Sequence, residues 1–279
     1  MSLRAANLFS LKGKTVLLTG ASGYLGRTFS RALLENGARL IALGRSDRLA
    51  AETAKWQNEF GAEQVSSHQI DMYDLKALGA LFDSIVEGEQ RLDVLINNAH
   101  ELGPNTGFNI EAGSLENASY EQWERHFLGG VYWPALAAQK VGPKMKAQKA
   151  GSIINISTMY ALVAPSPALY EGTALLNPPG YSAAKAALLA LTRYLASFWG
   201  AHGIRANAIL PGPFSNVEDT GDNSVAQDDP FLDRLKNRTC LGRIGHPSEL
   251  VGCLLYLASD ASSYVTGQAL SVDGGWTIT

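Results

Sequence analysis

The stretch TVLLTGASGYLG, residues 15–26, decides the fold of this chain. Its first part, Thr15–Thr19, is a short β-branched and apolar run that predicts a buried strand. Gly20, Gly23 and Gly26 follow with G-x-x-G-x-x-G spacing, and the apolar-periodic segment RTFSRALLENG after them predicts a helix. Glycines let the backbone approach a pyrophosphate, whose charge is met by the N–H groups at the start of the helix. Strand, glycine turn and helix in this order therefore predict a nucleotide-binding site.

Most of this turn is expected to contact the nucleotide directly. The candidate residues are Gly20, Ser22, Gly23, Tyr24, Leu25 and Gly26. A glycine triad alone indicates little, since glycine turns are common. Here a strand precedes the triad and a helix follows it, which is the context that such a site requires.

The end of the second predicted strand, residues 39–43, indicates which dinucleotide binds. In βαβ units that prefer NAD, an acid near this point holds the ribose hydroxyls, whereas an arginine accommodates a 2′-phosphate. Gly44 supplies no acid and Arg45 supplies the cation, so NADP(H) is favoured and NAD(H) remains the alternative. Asp47 lies nearby in the sequence, and Arg45 could instead be a solvated surface arginine.

Helices and strands alternate along the rest of the chain. Helices are predicted over residues 48–60, 74–86, 120–147 and 178–198, and strands over residues 65–70, 92–96, 152–156, 204–210 and from residue 270 onward. Right-handed crossovers between parallel strands place helices on both faces and ligands at the carboxyl ends of the strands. The sequence therefore predicts one α/β domain over residues 1–279, with a doubly wound parallel sheet.

Polar or turn-forming residues stand at several of these strand ends. The candidates for cofactor binding among them are Asp71, Met72, Asn98, Ala99, Pro211 and Gly212. Short polar side chains there can hydrogen-bond an adenine or brace neighbouring strands, and both roles remain open for Asp71 and Asn98.

Tyr181 and Lys185 stand four residues apart on the predicted helix 178–198, so their side chains lie on one face, a turn apart. A tyrosine titrates near pH ~10, and a neighbouring ammonium lowers this pKa because it stabilises the phenolate. The pair is therefore a candidate for proton transfer and for holding a ligand. The alternative is an ordinary helix turn with a solvated lysine.

The composition argues against several classes of function. With 46% hydrophobic and 18% charged residues the chain is an ordinary globular protein, and a net charge of -3 without a basic cluster argues against nucleic acid and membrane partners. The first residues lack an apolar segment before a cleavage site, so a cytoplasmic protein is expected. The spacing of the cysteines and histidines predicts neither a disulfide nor a metal site.

Together these motifs resemble the single-domain short-chain dehydrogenases/reductases. The resemblance is carried, in order, by the glycine turn, Asp71, NNA at 97–99, NIST at 155–158, Y-x-x-x-K at 181–185, PG at 211–212 and DGG at 273–275. It implies a Rossmann-type fold that binds NAD(P)(H), with Tyr181 as catalytic acid or base. It also implies that Lys185 holds the nicotinamide ribose and that Thr158 supplies a hydroxyl that orients a substrate carbonyl. A small-molecule substrate and a homo-oligomer, dimer or tetramer, are implied as well, with the helices that contain Trp123 and Tyr194 at the interface.

The chain departs from the family pattern at several places. Tyr24 replaces the central glycine of the turn, and the loop spacing resembles that of the extended branch of the family. Gly130 stands where the family usually has a proton-relay asparagine, so a water or a backbone carbonyl would have to substitute. Thr158 best matches the family's hydroxyl position, with Ser157 as its neighbour and the alternative.

The unusually long gap before Tyr181 forms an insert at about residues 160–180. The insert and FLGG at 127–130 resemble a bacterial subgroup found with flagellin-modification and nonulosonic-acid sugar biosynthesis, which implies a sugar-derived substrate. Glu171 either faces inward, to pair with an amino group, or points to solvent. Residues 212–238 are predicted to form a mobile lid or a solvated acidic loop. His100, directly after NNA, is either a nicotinamide-pocket residue or a spacer.

Two functions from different classes follow from these residues. The first is an NAD(P)(H)-dependent oxidoreductase that interconverts a hydroxyl and a carbonyl on a small polar, sugar-derived substrate, with Tyr181 as general acid/base. The second is a non-catalytic dinucleotide-binding redox sensor or structural subunit, supported only by the altered turn and the missing asparagine. Because both Tyr181 and Lys185 are present, the sequence favours the enzyme.

Overall fold

The computed structural model describes residues 4–214 and 230–279. In this part of the chain, seven parallel strands form one sheet with the order β3-β2-β1-β4-β5-β6-β7. The strands are β1 (Thr15–Thr19), β2 (Arg39–Gly44), β3 (Val65–Gln69), β4 (Val94–Asn97), β5 (Gly151–Ile156), β6 (Ile204–Pro211) and β7 (Ala269–Val272). The predicted α/β fold with a doubly wound, Rossmann-type parallel sheet is confirmed.

Helices cover both faces of this sheet. They are α1 (Ala5–Leu8), α2 (Tyr24–Glu35), α3 (Arg48–Phe60), α4 (Leu75–Gly88), α5 (Tyr120–Phe127), α6 (Trp133–Gln148), α7 (Pro167–Tyr170), α8 (Pro179–Trp199), α9 (Pro230–Asn237) and α10 (Val251–Ala258). A π-helical segment, Leu128–Tyr132, joins α5 to α6.

The strand order reverses at β1, and this reversal positions the site. From β1 the chain first builds β2 and β3 on one side, then crosses to β4 on the other. Leu18 of β1 accordingly pairs with Ala42 on one side and Ile96 on the other. Connections that leave β1 in opposite directions open a crevice at the carboxyl ends of the strands, where ligands of such sheets bind.

Apolar side chains fill both faces of the sheet, because a parallel sheet covered by helices is buried on both sides. On one face, Phe29 and Leu33 of α2 pack together with Leu254 of α10. On the other face, Phe82 of α4 packs with Val141 of α6. The two layers hold the strands rigidly behind the crevice.

Most of the predicted elements lie within two residues of their observed ends, and two differences have a clear physical reason. The single helix predicted over residues 120–147 is divided, because the π-helical segment Leu128–Tyr132 interrupts it at a Gly-Gly pair. Helix α10 was not predicted, since its sequence VGCLLYLA is apolar at nearly every position and so hides the helical period.

The predicted lid, residues 212–238, is described only in part. Residues 215–229 lie outside the described residues, and α9 occupies most of residues 230–238. None of the helices in the two described ranges is long and apolar enough to cross a membrane.

Candidate active site

A cleft of about 890 Å³ lies at the carboxyl ends of the central strands. The predicted site residues that line it are Gly20, Ser22, Gly23, Tyr24, Leu25, Arg45, Asp71, Met72, Asn98, Ala99, Thr158, Tyr181, Lys185, Pro211 and Gly212. Residues far apart in the sequence therefore meet in one cavity, whose size is that of a typical ligand site.

Gly26 is the one predicted cofactor residue that does not line the cleft. A Cβ at Gly26 would lie 2.0 Å from the carbonyl oxygen of Gly20 and 2.9 Å from the backbone of Ala21. The absence of a side chain at Gly26 thus lets α2 pack directly on the turn. Its contribution is to the shape of the turn.

Asn98 holds the glycine turn from the neighbouring strand. Its side-chain amide donates to the carbonyls of Thr19 at 3.2 Å and Gly20 at 3.1 Å. The backbone N–H groups of Asn98 and Ala99 both donate to the Thr19 hydroxyl. Of the two roles predicted for Asn98, bracing is the one that these hydrogen bonds support.

A buried chain of polar side chains ties the sheet to α8. Asn97 donates to Asn155 at 2.8 Å, and Asn155 donates to the hydroxyl of Thr192 at 2.8 Å. Asn97, Asn155 and Thr192 belong to β4, β5 and α8 in turn, so the chain fixes α8 against the two strands that end at the cleft. A fully satisfied buried network of this kind is rigid.

Thr158 and Tyr181 form the central pair of the site. Burial raises the pKa of the Tyr181 phenol to about 12, and the nearby hydroxyl of Thr158 acts in the opposite direction. Tyr181 is therefore protonated at neutral pH. That Thr158 orients a substrate carbonyl stays a prediction, and the position of its hydroxyl beside the phenol is in accord with it.

Lys185 does not act on Tyr181 as the sequence predicted. Its Nζ donates to the carbonyl of Ile156 at 2.8 Å and lies 6.0 Å from the centre of the Tyr181 ring. Burial lowers the pKa of Lys185 to about 7, so its charge is only partial at neutral pH. The expectation that this ammonium lowers the pKa of the Tyr181 phenol was wrong for this arrangement, because burial dominates both groups.

Three aromatic rings enclose the ring of Tyr181. His100 and Phe108 both meet it edge to face at 5.1 Å between ring centres, and His126 lies 6.2 Å away. Nε2 of His100 lies 3.4 Å from Nδ1 of His126. His100 also lines the cleft, and its place in a nicotinamide pocket stays a prediction.

Gly130, where the sequence lacks the family's asparagine, lies in the π-helical segment against α8. A Cβ at Gly130 would lie 2.7 Å from Cβ of Ala184, closer than two such carbons can approach. Because Gly130 has no side chain, the π-helical segment packs tightly against α8 next to Lys185.

Arg45 contacts an acidic group that the sequence analysis missed. Both terminal nitrogens of Arg45 lie 3.4 Å from one carboxylate oxygen of Glu101 across the cleft. The second carboxylate oxygen accepts from Tyr73 at 2.7 Å and from Arg125 at 3.0 Å. Glu101 is thus anchored by Tyr73 and Arg125 and holds Arg45 only loosely.

Side chains of the insert pack beside Tyr181, but Glu171 is not one of them. Tyr170 of α7 lies 3.2 Å from Tyr160, hydroxyl to hydroxyl, and both pack in the apolar cluster that contains Tyr181. Glu171 is exposed and lines a separate hollow of about 570 Å³ with Pro165. The interpretation in which Glu171 points to solvent is the one the structure supports.

The missed residues are His126, Phe108, Tyr73, Arg125 and Glu101. They come from loops and from α5, and nothing in their spacing indicates that they converge. Within residues 4–214 and 230–279, no group of three or more His, Cys, Asp or Glu side chains is close enough to hold a metal ion.

The chain is similar in sequence to known dehydrogenases and reductases. The sequence profile of the family described as enoyl-(acyl carrier protein) reductase matches residues 20–277. Gluconate 5-dehydrogenase of Gluconobacter oxydans is 34% identical over 278 residues, 98% of each chain. Galactitol 2-dehydrogenase (L-tagatose-forming) of Cereibacter sphaeroides is 31% identical over 271 residues, 97% of this chain and 98% of the other.

The fold of the chain is also similar to that of a solved dehydrogenase structure. The crystal structure of a gluconate 5-dehydrogenase from Burkholderia cenocepacia, in complex with NADP and tartrate, superposes with a TM-score of 0.82 at 29% identity. The superposition covers 99% of this chain and 100% of the other.

Proposed function

Because the chain belongs to the short-chain dehydrogenase/reductase family, we propose that it is an NAD(P)(H)-dependent oxidoreductase that interconverts a hydroxyl and a carbonyl on a small, sugar-derived substrate. The observation that carries this function is that Thr158, Tyr181 and Lys185 all line one cleft, with the Thr158 hydroxyl beside the Tyr181 phenol. Two hydroxyls that converge on one point can both contact a single substrate oxygen. One of them can then exchange a proton with it.

The residues of the cleft fit a dinucleotide. Gly20 adopts a φ of +69°, which favours glycine, and Gly23 is the N-cap of α2 without a side-chain cap, so backbone N–H groups are available to a pyrophosphate. The Arg45 side chain, 57% exposed, suits a 2′-phosphate, and NADP(H) is the favoured cofactor. Other residues that line the cleft include Met72, Ala99, Pro211 and Gly212. When bound, the nicotinamide supplies or accepts the hydride.

Thr158 and Tyr181 carry the proton chemistry in this proposal, and Lys185 binds the cofactor. In reduction the phenol of Tyr181 gives its proton to the carbonyl oxygen, and the hydroxyl of Thr158 donates a hydrogen bond to the same atom. The raised pKa keeps the phenol protonated at neutral pH and ready to donate. Lys185, buried beside the cleft, is placed to hold ribose hydroxyls of the cofactor.

The relatives support a polyol or sugar acid as substrate. Their names include gluconate, galactitol and D-threitol dehydrogenases and sorbose reductases. A finer assignment, to the subgroup of flagellin-modification and nonulosonic-acid sugar biosynthesis, remains our prediction and is supported by the length of the insert and by Gly130. The exposed position of Glu171 gives no support to an amino-group contact at that residue.

The non-catalytic alternative lacks a feature of its own in the described residues. The three side chains proposed for catalysis line one cleft, and Gly130 allows close packing against Ala184. A homo-oligomer remains a prediction, supported by Tyr194 and Phe198 of α8, which stack at 4.2 Å with more than half of each side chain exposed.

The proposal is tested with a substrate panel. NADP⁺ reduction is followed spectrophotometrically with gluconate, galactitol and D-threitol, and NADPH oxidation with sorbose, against apolar alcohols and ketones of similar size. We expect turnover of at least one polyol, sugar or sugar acid. Turnover confined to the apolar compounds would contradict the substrate class, and cofactor binding without any turnover would support the sensor.

A further inference from the structure

A second hollow, which we call the rear hollow, lies at the amino ends of the central strands, opposite the cleft. Its volume is about 570 Å³. Lys14 directly before β1, Asp93 directly before β4, Gly151 at the start of β5 and Arg205 near the start of β6 line it. Among the described residues, none lines both the rear hollow and the cleft, so a ligand bound there would not compete with the proposed cofactor.

Arg205 is a half-buried cation that lines the rear hollow without a carboxylate partner. Its Nη1 donates to the hydroxyl of Ser262 at 2.6 Å, and its Nη2 donates to the carbonyls of Leu257 at 3.0 Å and Ser259 at 3.1 Å. These three bonds hold the end of α10, but a guanidinium has five N–H groups. Within residues 4–214 and 230–279, Nε and one N–H of Nη1 have no partner, and no acid forms an ion pair with Arg205.

Lys14 and Arg91 bring two more cations to the rear hollow, each beside one acid. Nζ of Lys14 donates to Oδ1 of Asp260 at 2.8 Å. Nη2 of Arg91 donates to Oδ1 of Asp93 at 2.7 Å, and Nε of Arg91 lies 3.3 Å from the same oxygen. An ammonium has three N–H groups and a guanidinium five, so both cations keep donors that these acids do not use.

The acids leave the rear hollow with an excess of positive charge. Its charged lining residues are Lys14, Arg91, Arg205, Asp93 and Asp260, three cations against two carboxylates. Asp93 is also bound to the backbone, since its Oδ2 accepts from the N–H of Thr15 at 2.9 Å. Burial lowers the pKa of Arg205, and Asp260 opposes this from beyond ion-pair distance. A guanidinium nevertheless stays charged, so an anion in the rear hollow would offset a charge that no neighbouring carboxylate pairs with.

The cations of the rear hollow can be reached from solvent. Tyr264, which also lines the hollow, is fully exposed, and the Arg91 side chain is 56% exposed. The hydroxyl of Thr266 lines the hollow as well and accepts from the N–H of Ala206 at 3.0 Å, so its hydrogen remains able to donate. A small ligand therefore meets both charged and neutral donors.

We propose that the rear hollow is a binding site for a phosphate group, held by Arg205, Lys14 and Arg91. The inference is independent of the proposed function. A phosphate monoester carries about −1.5 to −2 charges at neutral pH and has three terminal acceptor oxygens. It therefore suits a group of cations with several unused N–H donors better than a carboxylate with two oxygens does. The group is either inorganic phosphate or the phosphate of a small metabolite.

Calorimetric titration of inorganic phosphate into the NADP⁺-saturated protein tests the site, because the cofactor then occupies the cleft. We expect one phosphate to bind per chain, with a Kd of about 1 mM or tighter. Glucose 6-phosphate in the same titration identifies the source of the group. Tighter binding than that of inorganic phosphate would indicate a phosphorylated metabolite, and equal or weaker binding would indicate inorganic phosphate. No saturable binding of either probe would overturn the proposal.

Two matched ion pairs separate this site from general surface charge. Lys14 and Asp260 lie 2.8 Å apart at the rear hollow, whereas Lys140 and Asp83, 2.6 Å apart, join α6 to α4 and line neither the hollow nor the cleft. Lys14→Met should weaken phosphate binding about tenfold, because it removes a charged donor. Lys140→Met removes the same charge and should leave the affinity unchanged. Asp260→Asn should tighten binding by removing a competing carboxylate, and Asp83→Asn should not.

Arg91→Met should weaken phosphate binding by a similar factor. Arg205→Met would also release the end of α10, so Lys14 and Arg91 are the positions that test binding without that loss. Equal weakening by Lys14→Met and Lys140→Met would overturn the proposal, since the anion would then respond to net charge alone. An Asp260→Asn protein that binds phosphate no more tightly than Asp83→Asn would do the same.

Discussion

The hydroxyl of Ser157 donates a 3.0 Å hydrogen bond to the backbone carbonyl of Lys185. Ser157 therefore faces the backbone of α8, whereas the next residue, Thr158, faces the phenol of Tyr181. Two adjacent hydroxyls at the end of β5 thus have different partners. Ser157 holds the helix that carries Lys185, and we propose that Thr158 contacts the substrate oxygen.

This difference predicts different outcomes for the two hydroxyls. Thr158→Ala should lower kcat/KM about 100-fold or more, because it removes a donor to the substrate oxygen, and Thr158→Ser should cost much less. Ser157→Ala should mainly lower the free energy of unfolding, by about 1 kcal/mol for a lost buried hydrogen bond. Steady-state kinetics and urea unfolding of the three variants measure both quantities. A larger kinetic loss in Ser157→Ala than in Thr158→Ala would exchange the two roles.

Lys185 gives a prediction about stability and pH. Folding lowers its pKa from 10.5 to about 7, so between these values the unfolded chain holds the proton and the folded protein does not. The stability contributed at this site therefore rises with pH from about 7 to about 10. Lys185→Met should remove the rise, so the melting temperature of the variant relative to wild type should be highest near pH 7 and decline toward pH 10.

Lys76→Met, which alters an exposed lysine of α4, is the matched control and should leave the pH dependence unchanged. Melting curves of the cofactor-free proteins across that range make the comparison. A Lys185→Met difference that stays flat would contradict a lysine that loses its proton on folding.

Arg45 predicts the cofactor preference. The guanidinium should bind NADP(H) about tenfold or more tightly than NAD(H), since a hydrogen bond to a charged phosphate is stronger than one to a hydroxyl. Arg45→Ala should abolish the preference by weakening NADP(H) alone. Isothermal titration of both dinucleotides measures this, with Arg48→Ala, another cleft arginine, as control.

Glu101 should weaken the binding of NADP(H) in the wild-type protein. Its carboxylate lies 3.4 Å from Arg45 and would face the 2′-phosphate, while Tyr73 and Arg125 hold it in place. Glu101→Gln should therefore tighten NADP(H) and leave NAD(H) nearly unchanged. Weaker NADP(H) binding in that variant would mean that Glu101 orients Arg45 rather than competing for it.

Substitution of Gly130 should destabilise the protein, and a second substitution at Ala184 should partly reverse the loss. Gly130→Ala should lower the free energy of unfolding by about 1–3 kcal/mol, because its Cβ would overlap that of Ala184. Adding Ala184→Gly should recover part of the loss. Gly252→Ala in α10, where a Cβ meets nothing within 4 Å, is the control and should not destabilise. If Gly130→Ala were as stable as wild type, the close packing of the π-helical segment on α8 would be refuted.

The sequence predicted the fold and the lining of the cleft well because both depend on local patterns. Gly20 after β1, Asp71 after β3 and Asn98 after β4 follow strands of recognisable composition, and the carboxyl ends of parallel strands must meet. The four-residue spacing of Tyr181 and Lys185 likewise fixes their shared helix face. None of these inferences needs knowledge of a long-range contact.

The remainder of the site depends on packing that spacing does not encode. The anchoring of Glu101 by Arg125 and the stacking of His100 on His126 bring together residues from separate elements. The environment of Lys185 was mispredicted for a related reason. A sequence shows that two side chains are neighbours but not how deeply both are buried, and burial controls the pKa of each.

The most direct test of the account compares wild type with Tyr181→Phe in the NADPH-dependent reduction of a ketose or keto-acid. The variant removes one hydroxyl at nearly constant shape, and calorimetry shows whether it still binds NADPH. We predict that wild type turns over at least one such substrate and that Tyr181→Phe loses about 100-fold or more in kcat with unchanged NADPH affinity. Normal turnover by Tyr181→Phe would contradict the assignment of Tyr181 as the proton donor.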